Sequence, residues 1–335
     1  MSTSVGGNSN LDINGVVRVS GGEAVATGTG SDGLRVSSTG AQATGISAIF
    51  FEEVPNNSFT LDTEVIVNGA DATTNVDGAG VIGSASARGG IGVLVTSIVD
   101  GATFIQQADV TLTGGDAVIN ASNGAEVGSI SGGFGTGFAL STFADGISST
   151  GVIEGTIQVT GGDATINGAA VDPSIFERGG NAIGVFAEAV LNDDTAIIKH
   201  NGTIIATAGD GPNGKGVAAG IYSIDQGFSN LPGNGIVTVT GDIQVDGGGK
   251  ELDLFYTDFS GGVLGAHSGL TTIEIDGGNI TTTGDKVSGI STHSTNADVT
   301  VKSGSTVTTN GTNSDGIQVR ARSNIFNATN ETDFF

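Results

Sequence analysis

The sequence has no cysteine, only four prolines and only 11 lysine and arginine residues in 335. Without cysteine the chain has no disulfide, no thiolate metal site, no iron–sulfur cluster and no cysteine nucleophile. Four prolines exclude a proline-rich stalk, and the glycines lack the strict three-residue period of collagen. No apolar run reaches the roughly 18 residues that a membrane-spanning helix needs. The chain must therefore gain its stability from packing alone.

Cations are scarce relative to acids, since 35 Asp and Glu residues give a net charge of −24. So few cations cannot neutralise a phosphate backbone, which excludes nucleic acid as a partner. The acidic surface also repels anionic lipid headgroups, so we expect no direct membrane insertion by this segment. Charged residues make up 14% of the chain and hydrophobic residues 37%, a composition that favours a folded protein over a disordered one.

Glycine is abundant, with 59 residues, and many of these glycines belong to a repeated segment. The segment is a short alternating apolar run followed by a small polar residue, a glycine-rich pair and an acid. Its clear copies are Val17–Glu23, Val65–Asp71, Val110–Asp116, Ile157–Asp163 and Ile204–Asp210. Looser copies start at Ile243, Ile280 and Val307, and successive starts lie 48, 45, 47, 47, 39, 37 and 27 residues apart. A repeat of this length predicts a solenoid.

The shortest interval indicates the minimal unit, which is three short strands. They are Ile280–Asp285, Ser288–His293 and Ala297–Gly304. The second strand recurs as Leu34–Ser38, Ile91–Thr96, Phe138–Phe143, Ile183–Glu188, Val217–Ile224, Val263–His267 and Ile317–Arg322. The third recurs as Phe59–Thr63, Thr103–Gln107, Thr195–His200, Ile236–Thr240 and Thr272–Asp276. These runs are β-branched, alternate in polarity and end at Gly, Asn or Asp, which is typical of strands.

The sequence therefore predicts an all-β fold, a right-handed parallel β-helix (β-solenoid) of about eight coils of three short strands. The predicted β-helix domain spans residues 10–323, between an N-terminal tail at 1–9 and a C-terminal tail or truncation point at 324–335. Right-handedness follows from the strong preference of parallel crossovers. We expect the extra residues of the longer coils to loop out at corners. They are Ala70–Ala87, Ile166–Asn181, Gly209–Gly216 and Gly247–Phe259.

The pattern from Ile280 to Val319, ITTTGD-x-x-SGISTHS-x-x-ADVTVKSG-STVTTNGT-x-SDGIQV, resembles the β-helical passenger region of autotransporters. These are type V secreted surface proteins of Gram-negative bacteria. The resemblance implies an extracellular rod at the outer-membrane surface and a function in adhesion or aggregation. Its partners would be host or neighbouring-cell surface molecules, or further copies of itself. Residues Ser2–Asn8 lack a secretion signal and no C-terminal outer-membrane barrel follows, so we expect a fragment of a longer protein.

Two other functions remain open at this stage. The first is a glycan-cleaving β-helix enzyme, a lyase or hydrolase, for which Asp193 and Asp194 are the adjacent acids on a plausible loop. The second is a subunit of a self-assembling extracellular filament, joined through exposed strand edges. The histidines His200, His267 and His293 fall on strands two or more coils apart, where we expect them to face solvent. We therefore assign no catalytic residue.

An acid at one fixed offset in five consecutive coils is the most distinctive candidate for a binding site. This acidic ladder consists of Glu23, Asp71, Asp116, Asp163 and Asp210. In-register stacking would place the carboxylates along one corner at about 5 Å spacing. Either they hold a divalent cation such as calcium together with turn carbonyls, or each caps local backbone N–H groups and faces water. The calcium-binding nonapeptide is absent, so we expect no obligatory cofactor and assign no metal ligand.

Overall fold

A computed structural model of the chain describes residues 2–5, 8–11, 15–30, 33–50, 58–143, 145–168, 177–191, 193–225, 232–248, 260–322 and 331–334. These residues form strands and no helix. Within them, no helix is long and apolar enough to cross a lipid bilayer. The all-β prediction is therefore confirmed.

Three sheets, A, B and C, run along the molecule. Sheet A contains β1 (Ser2–Val5), β6 (Ala43–Phe50), β11 (Gly90–Ser97), β16 (Gly135–Thr142), β21 (Ala182–Ala189), β24 (Ala218–Asp225), β27 (Ser260–Ala266), β30 (Val287–Ser294), β33 (Ile317–Arg322) and β34 (Glu331–Phe334). Sheet B contains β2 (Asn8–Leu11), β7 (Ser58–Leu61), β12 (Ala102–Gln106), β17 (Ser148–Ile153), β22 (Thr195–His200), β25 (Asn234–Val239), β28 (Leu270–Ile275) and β31 (Asn296–Val301). Sheet C contains β3 (Val16–Ser20), β8 (Glu64–Asn68), β13 (Val110–Thr113), β18 (Thr156–Thr160), β23 (Thr203–Thr207), β26 (Asp242–Asp246), β29 (Asn279–Thr283) and β32 (Thr306–Asn310).

Each strand of sheets B and C pairs in parallel with its counterpart one coil along, and eight strands stack in each of these sheets. The same holds in sheet A up to β33, on which β34 packs antiparallel. The predicted parallel β-solenoid of about eight coils is confirmed, while its right-handed sense stays a prediction. Residues 2–5 and 331–334, which the sequence assigned to tails, are strands paired with sheet A.

Alternating side chains form ladders inside the solenoid because equivalent residues stand in register. In sheet C the first inward-facing residue of each strand is aliphatic, and from β8 to β32 these residues form an unbroken ladder. Its members are Val65, Val110, Ile157, Ile204, Ile243, Ile280 and Val307. All but the last, which packs against the core from the edge, are essentially inaccessible to solvent. Burying such side chains contributes about 1.5–3 kcal/mol each, so the ladders hold the coils together without disulfides.

Sheet A faces this ladder with a column of glycines. The column consists of Gly45, Gly92, Gly137, Gly184, Gly220, Gly262 and Gly289. A Cβ placed on Gly184 would lie 2.3 Å from Cγ2 of Ile204 and 2.6 Å from the carbonyl oxygen of Gly220. The other glycines of the column meet the sheet C ladder in the same way. Sheets A and C can therefore approach closely only because this position has no side chain.

The extra residues of the first four coils correct one prediction. Instead of looping out, they form strands of two further parallel sheets, D and E. Sheet D contains β4 (Ala24–Thr29), β9 (Ala72–Asp77), β14 (Ala117–Ser122) and β19 (Ala164–Asn167). Sheet E contains β5 (Arg35–Thr39), β10 (Ile82–Ser86), β15 (Glu126–Ser131) and β20 (Glu177–Arg178). Together they form a side arm with its own apolar core, which includes Val76, Val81, Ile119 and Ile130.

The side arm also explains a wrong strand assignment. Leu34–Ser38 was predicted as a second strand of the main coil, but β5 belongs to sheet E, and the sheet A strand of that coil is β6. Of the other predicted corner loops, Gly209–Gly216 contains no strand. The predicted loop Gly247–Phe259 and the middle of Ile166–Asn181 lie mostly outside the described residues. The local pattern predicted strands correctly, but it did not say which sheet each strand joins.

Substituting Gly184 by alanine tests the close approach of sheets A and C. Because the new methyl group overlaps Ile204 and a backbone carbonyl, we expect the free energy of unfolding to fall by about 1–3 kcal/mol. Gly22→Ala is the matched control, since a Cβ there meets no atom within 4 Å. Chemical denaturation monitored by circular dichroism measures both. Equal midpoints for the two variants would contradict the packing described here.

Candidate functional site

A neck of glycines joins the side arm to the solenoid. The chain leaves each coil through pairs such as Gly114–Gly115 and Gly161–Gly162, and returns through pairs such as Gly132–Gly133. The N–H of Gly133 donates to the carbonyl oxygen of Gly115 at 2.8 Å, and the N–H of Gly162 donates to that of Gly133 at 2.9 Å. A Cβ on Gly162 would lie 1.8 Å from the oxygen of Gly115. The outgoing and returning backbones therefore touch, which explains the glycine pairs of the repeat.

The acidic ladder lies where the chain leaves this neck and enters the side arm. All five of its acids are exposed, and the strands that follow four of them stack in register in sheet D. The N–H of Asp116 donates to Oδ1 of Asp71 at 2.8 Å. The N–H of Asp163 donates to Asp116, and that of Asp210 to Asp163, at the same distance. Glu23 occupies the equivalent place in the first coil, where the N–H of Ala24 donates to the carbonyl oxygen of Asp71.

These contacts differ from the second alternative in one respect, because the carboxylates of Asp71, Asp116 and Asp163 cap a backbone N–H group of the next coil rather than a local one. Every such bond links one coil to the next, and bonds to an ionised acceptor are roughly twice as strong as neutral ones. Within the described residues, no group of three or more acidic or histidine side chains comes close enough to hold a metal ion. The acidic ladder therefore joins successive coils, and among the described residues its carboxylates do not form a cluster of metal ligands.

The outward face of sheet D carries a second ladder that the sequence analysis missed. Asn120 donates from Nδ2 to Oδ1 of Asn75 at 2.8 Å, and Asn167 donates in the same way to Asn120 at 2.9 Å. Asn75 in turn donates to Oγ1 of Thr27 at 3.4 Å. We call these four residues the asparagine ladder. Each member stands four positions after an acid of the acidic ladder, and this constant offset was the available signal.

A groove runs across the four strands of sheet D above the asparagine ladder. Its volume is about 290 Å³, and its lining includes the asparagine ladder, Thr29, Asp77 and Ser122. Oδ1 of Asp77 accepts hydrogen bonds from Oγ of Ser122 at 2.8 Å and from Nδ2 of Asn123 at 2.6 Å. Asn123 has a positive φ of 50°, the left-handed conformation that asparagine tolerates best after glycine. The groove therefore combines polar side chains with a mainly apolar accessible surface, and a hydrogen-bonded turn at Asn123 lies beside it.

Asp193 and Asp194, the acids of the glycan-cleaving alternative, do not form a pair of carboxylates facing one groove. Asp193 is exposed, whereas Asp194 has no exposed surface. Oδ2 of Asp194 accepts the N–H of Leu191 at 3.0 Å, and its Oδ1 accepts the N–H of Ile147 at 3.4 Å. The carboxylate of Asp194 thus stabilises the corner to which it belongs and connects it to the preceding coil. Since it is turned inward, it cannot act on a bound glycan from this position.

The histidines correct a further prediction, because all three are buried rather than facing solvent. Nε2 of His267 lies 2.9 Å from Oγ of Ser223, but both side chains are fully enclosed. Burial lowers the pKa of His267 to about 3. Burial also lowers the pKa of His200 to about 4, against a smaller raising effect of Asp242. Among the described residues, neither ring nitrogen of His200 has a hydrogen-bond partner. Enclosed in this way, the three histidines are parts of the core.

Comparison of the chain with known protein families, with curated proteins and with solved structures finds no match. The resemblance to autotransporter passengers therefore stays a prediction from the sequence pattern.

Replacing Asp116 distinguishes the two interpretations of the acidic ladder. Asp116→Ala removes the acceptor of the Asp163 N–H, so we expect the free energy of unfolding to fall by about 1–2 kcal/mol. Asp116→Asn keeps an oxygen acceptor and should lose less. Denaturation with and without calcium chloride measures both effects, and we expect calcium to leave the wild-type midpoint unchanged. A rise with calcium that Asp116→Asn abolishes would favour the cation ladder.

The two buried histidines with lowered pKa make stability dependent on pH. Their pKa falls from 6.5 to about 4 for His200 and about 3 for His267. Below pH 6.5 these histidines therefore bind protons in the unfolded chain but stay neutral in the native state until the pH nears their lowered pKa. Their contribution to the free energy of unfolding is complete above pH 6.5 and is lost as the pH falls. We expect His200 to account for about 3 kcal/mol of that loss at pH 4.

The test compares the wild type with His200→Leu by denaturation between pH 7 and pH 4. Leucine fills a similar space without a titrating group, so the free energy of unfolding of this variant should fall less steeply over that range. An identical slope for both proteins would contradict the lowered pKa of His200.

Proposed function

We propose that this chain is a non-enzymatic display rod of the autotransporter-passenger type at the extracellular surface of a Gram-negative bacterium. It attaches to host or neighbouring-cell surface molecules, or to further copies of itself, through the outward face of its side arm. The bacterial surface location rests on the sequence pattern from Ile280 to Val319. The attachment face rests on the architecture of the first four coils.

The observation that carries the proposal is the outward face of sheet D. Four strands in register present the same side-chain positions in each of the first four coils, and one row of them is the asparagine ladder. The side arm has its own apolar core, so this face stands on a rigid support. Repeated identical groups favour binding to a repetitive partner, because each rung adds a contact without a new kind of site.

The distribution of titratable groups supports attachment over catalysis. The two histidines whose pKa is lowered, His200 and His267, are enclosed in the core. Asp194 is buried and holds a corner. An enzyme needs its acid and base within hydrogen-bond reach of a bound substrate, and these residues face inward instead. The proposed function therefore has no catalytic residue.

Arginine substitutions on the outward face of sheet D test the proposal. Beads coated with the chain should cluster, or attach to bacterial or epithelial cells, and the double substitution Thr73→Arg with Val118→Arg should reduce this at least tenfold. Both residues face outward on β9 and β14, so the arginines place bulk and charge on the face without entering the core. Counting attached beads by microscopy gives the measurement.

The matched control is Thr111→Arg with Gln158→Arg, which changes two outward positions of neighbouring strands in sheet C. The control should attach like the wild type. Beads that never attach, or equal losses in the two double variants, would overturn the proposed attachment face.

A further inference from the structure

The asparagine ladder, which lines the groove, leaves part of its hydrogen-bonding capacity unused within the described residues. A side-chain amide has two N–H donors and a carbonyl oxygen with two lone pairs. Asn120 uses one N–H toward Asn75 and accepts one hydrogen bond from Asn167. One donor and one lone pair of its amide are therefore left over. The same count applies to Asn75, which donates to Thr27 and accepts from Asn120.

These spare groups repeat with the spacing of the strands. Neighbouring strands of a sheet lie about 4.8 Å apart, so the groove offers a donor and an acceptor at each rung over four rungs. Thr27 contributes a hydroxyl group, which likewise donates and accepts, at the first rung. The groove runs across the strands and hence along the solenoid axis. A ligand that fits it is elongated and repeats a donor–acceptor pair along its length.

The charges around the groove restrict the ligand further. Among the described residues, the lining contains no lysine or arginine, and the chain as a whole is strongly acidic, with a net charge of −24. Acidic polymers are therefore repelled. The acid in the lining, Asp77, already accepts hydrogen bonds from Ser122 and Asn123. The lining is otherwise made of amides, hydroxyls, small residues and Val76, so it offers hydrogen-bonding groups beside a mainly apolar surface, a combination that suits the hydroxyl groups and the C–H faces of a sugar.

We propose that this groove binds a neutral polysaccharide chain that lies along the solenoid axis with one sugar unit near each rung of the asparagine ladder. Sugar hydroxyls donate and accept at once, and they recur at every unit of the chain, as the amides do. The inference rests on the proposed attachment function and names the class of partner for the same face. No bond is made or broken, so the site binds the glycan without cleaving it.

Titration calorimetry with the full chain and defined oligosaccharides tests the inference. The probes are cello-, xylo-, malto- and chito-oligosaccharides of two to six units, with polygalacturonate as the acidic comparison. We expect at least one neutral series to bind, with affinity that rises up to four units and then levels off, because the groove has four rungs. Polygalacturonate should not bind. Failure of every neutral series, length-independent binding, or tighter binding of polygalacturonate would overturn the inference.

Two variants locate the binding in the groove. Asn120→Ala removes the central amide and should weaken binding of the best oligosaccharide at least tenfold. Since it also breaks the ladder, Thr29→Tyr serves as a second variant that fills one end of the groove and leaves the amides in place; it should weaken binding as strongly. Thr111→Ala, on the outward face of sheet C and away from the groove, is the control and should bind like the wild type. Unchanged affinity in both groove variants would overturn the inference.

Measuring bead attachment with the same variants separates this inference from the proposed function. If attachment depends on the sheet D face but neither oligosaccharides bind nor Asn120→Ala alters attachment, the polysaccharide inference is wrong and the attachment face stands. If oligosaccharides bind the groove but beads never attach, the attachment function is wrong and the site stands. Loss of both properties in Asn120→Ala and Thr29→Tyr supports the two together.

Discussion

Parallel backbone hydrogen bonds between successive coils set the position of every other feature in the molecule. Because each strand pairs with its counterpart in the next coil, a residue that recurs once per repeat becomes a continuous ladder. The aliphatic ladder of sheet C, the glycine column of sheet A and the two polar ladders of the side arm all follow from this one register. The acidic ladder strengthens the register, since each carboxylate from Asp71 to Asp163 accepts an N–H group of the following coil.

Glycine decides where two backbones can meet, and thereby divides the core in two. At the neck the outgoing and returning chains touch through pairs such as Gly115 and Gly133, and any side chain there would overlap a carbonyl group. The main core lies on one side of this contact and the core of the side arm on the other. The small second core lies beneath sheet D, and the register of that sheet aligns the asparagine ladder.

The same architecture separates stability from interaction. Apolar ladders and enclosed histidines occupy the interior, where a polar group such as His200 adds sensitivity to acid rather than chemistry. Acids, amides and hydroxyls occupy the outside, where the register repeats them. A repeated outer surface of this kind favours a repetitive partner, and this repetition is the basis of the proposed polysaccharide site.

The sequence by itself determined the strands, the coil repeat and the in-register acids, because alternation with period two and a repeat of fixed offset are local properties of the chain. It predicted the sheet C ladder from Val65 to Val307 and the stacking of Asp71 on Asp116. It did not separate the side arm from the solenoid, since β5 and β9 alternate as the main strands do, and only their partners reveal the sheet to which they belong. The inward turn of Asp194 was likewise undetermined, because this residue lies at a corner before β22, where the alternation does not tell inside from outside. The burial of His200 was available from the sequence, because His200 continues the inward alternation of Ala196 and Ile198 in β22. The tertiary structure decided both the separation of the side arm and the inward turn of Asp194, because pairing between coils brings together residues that are far apart in the chain.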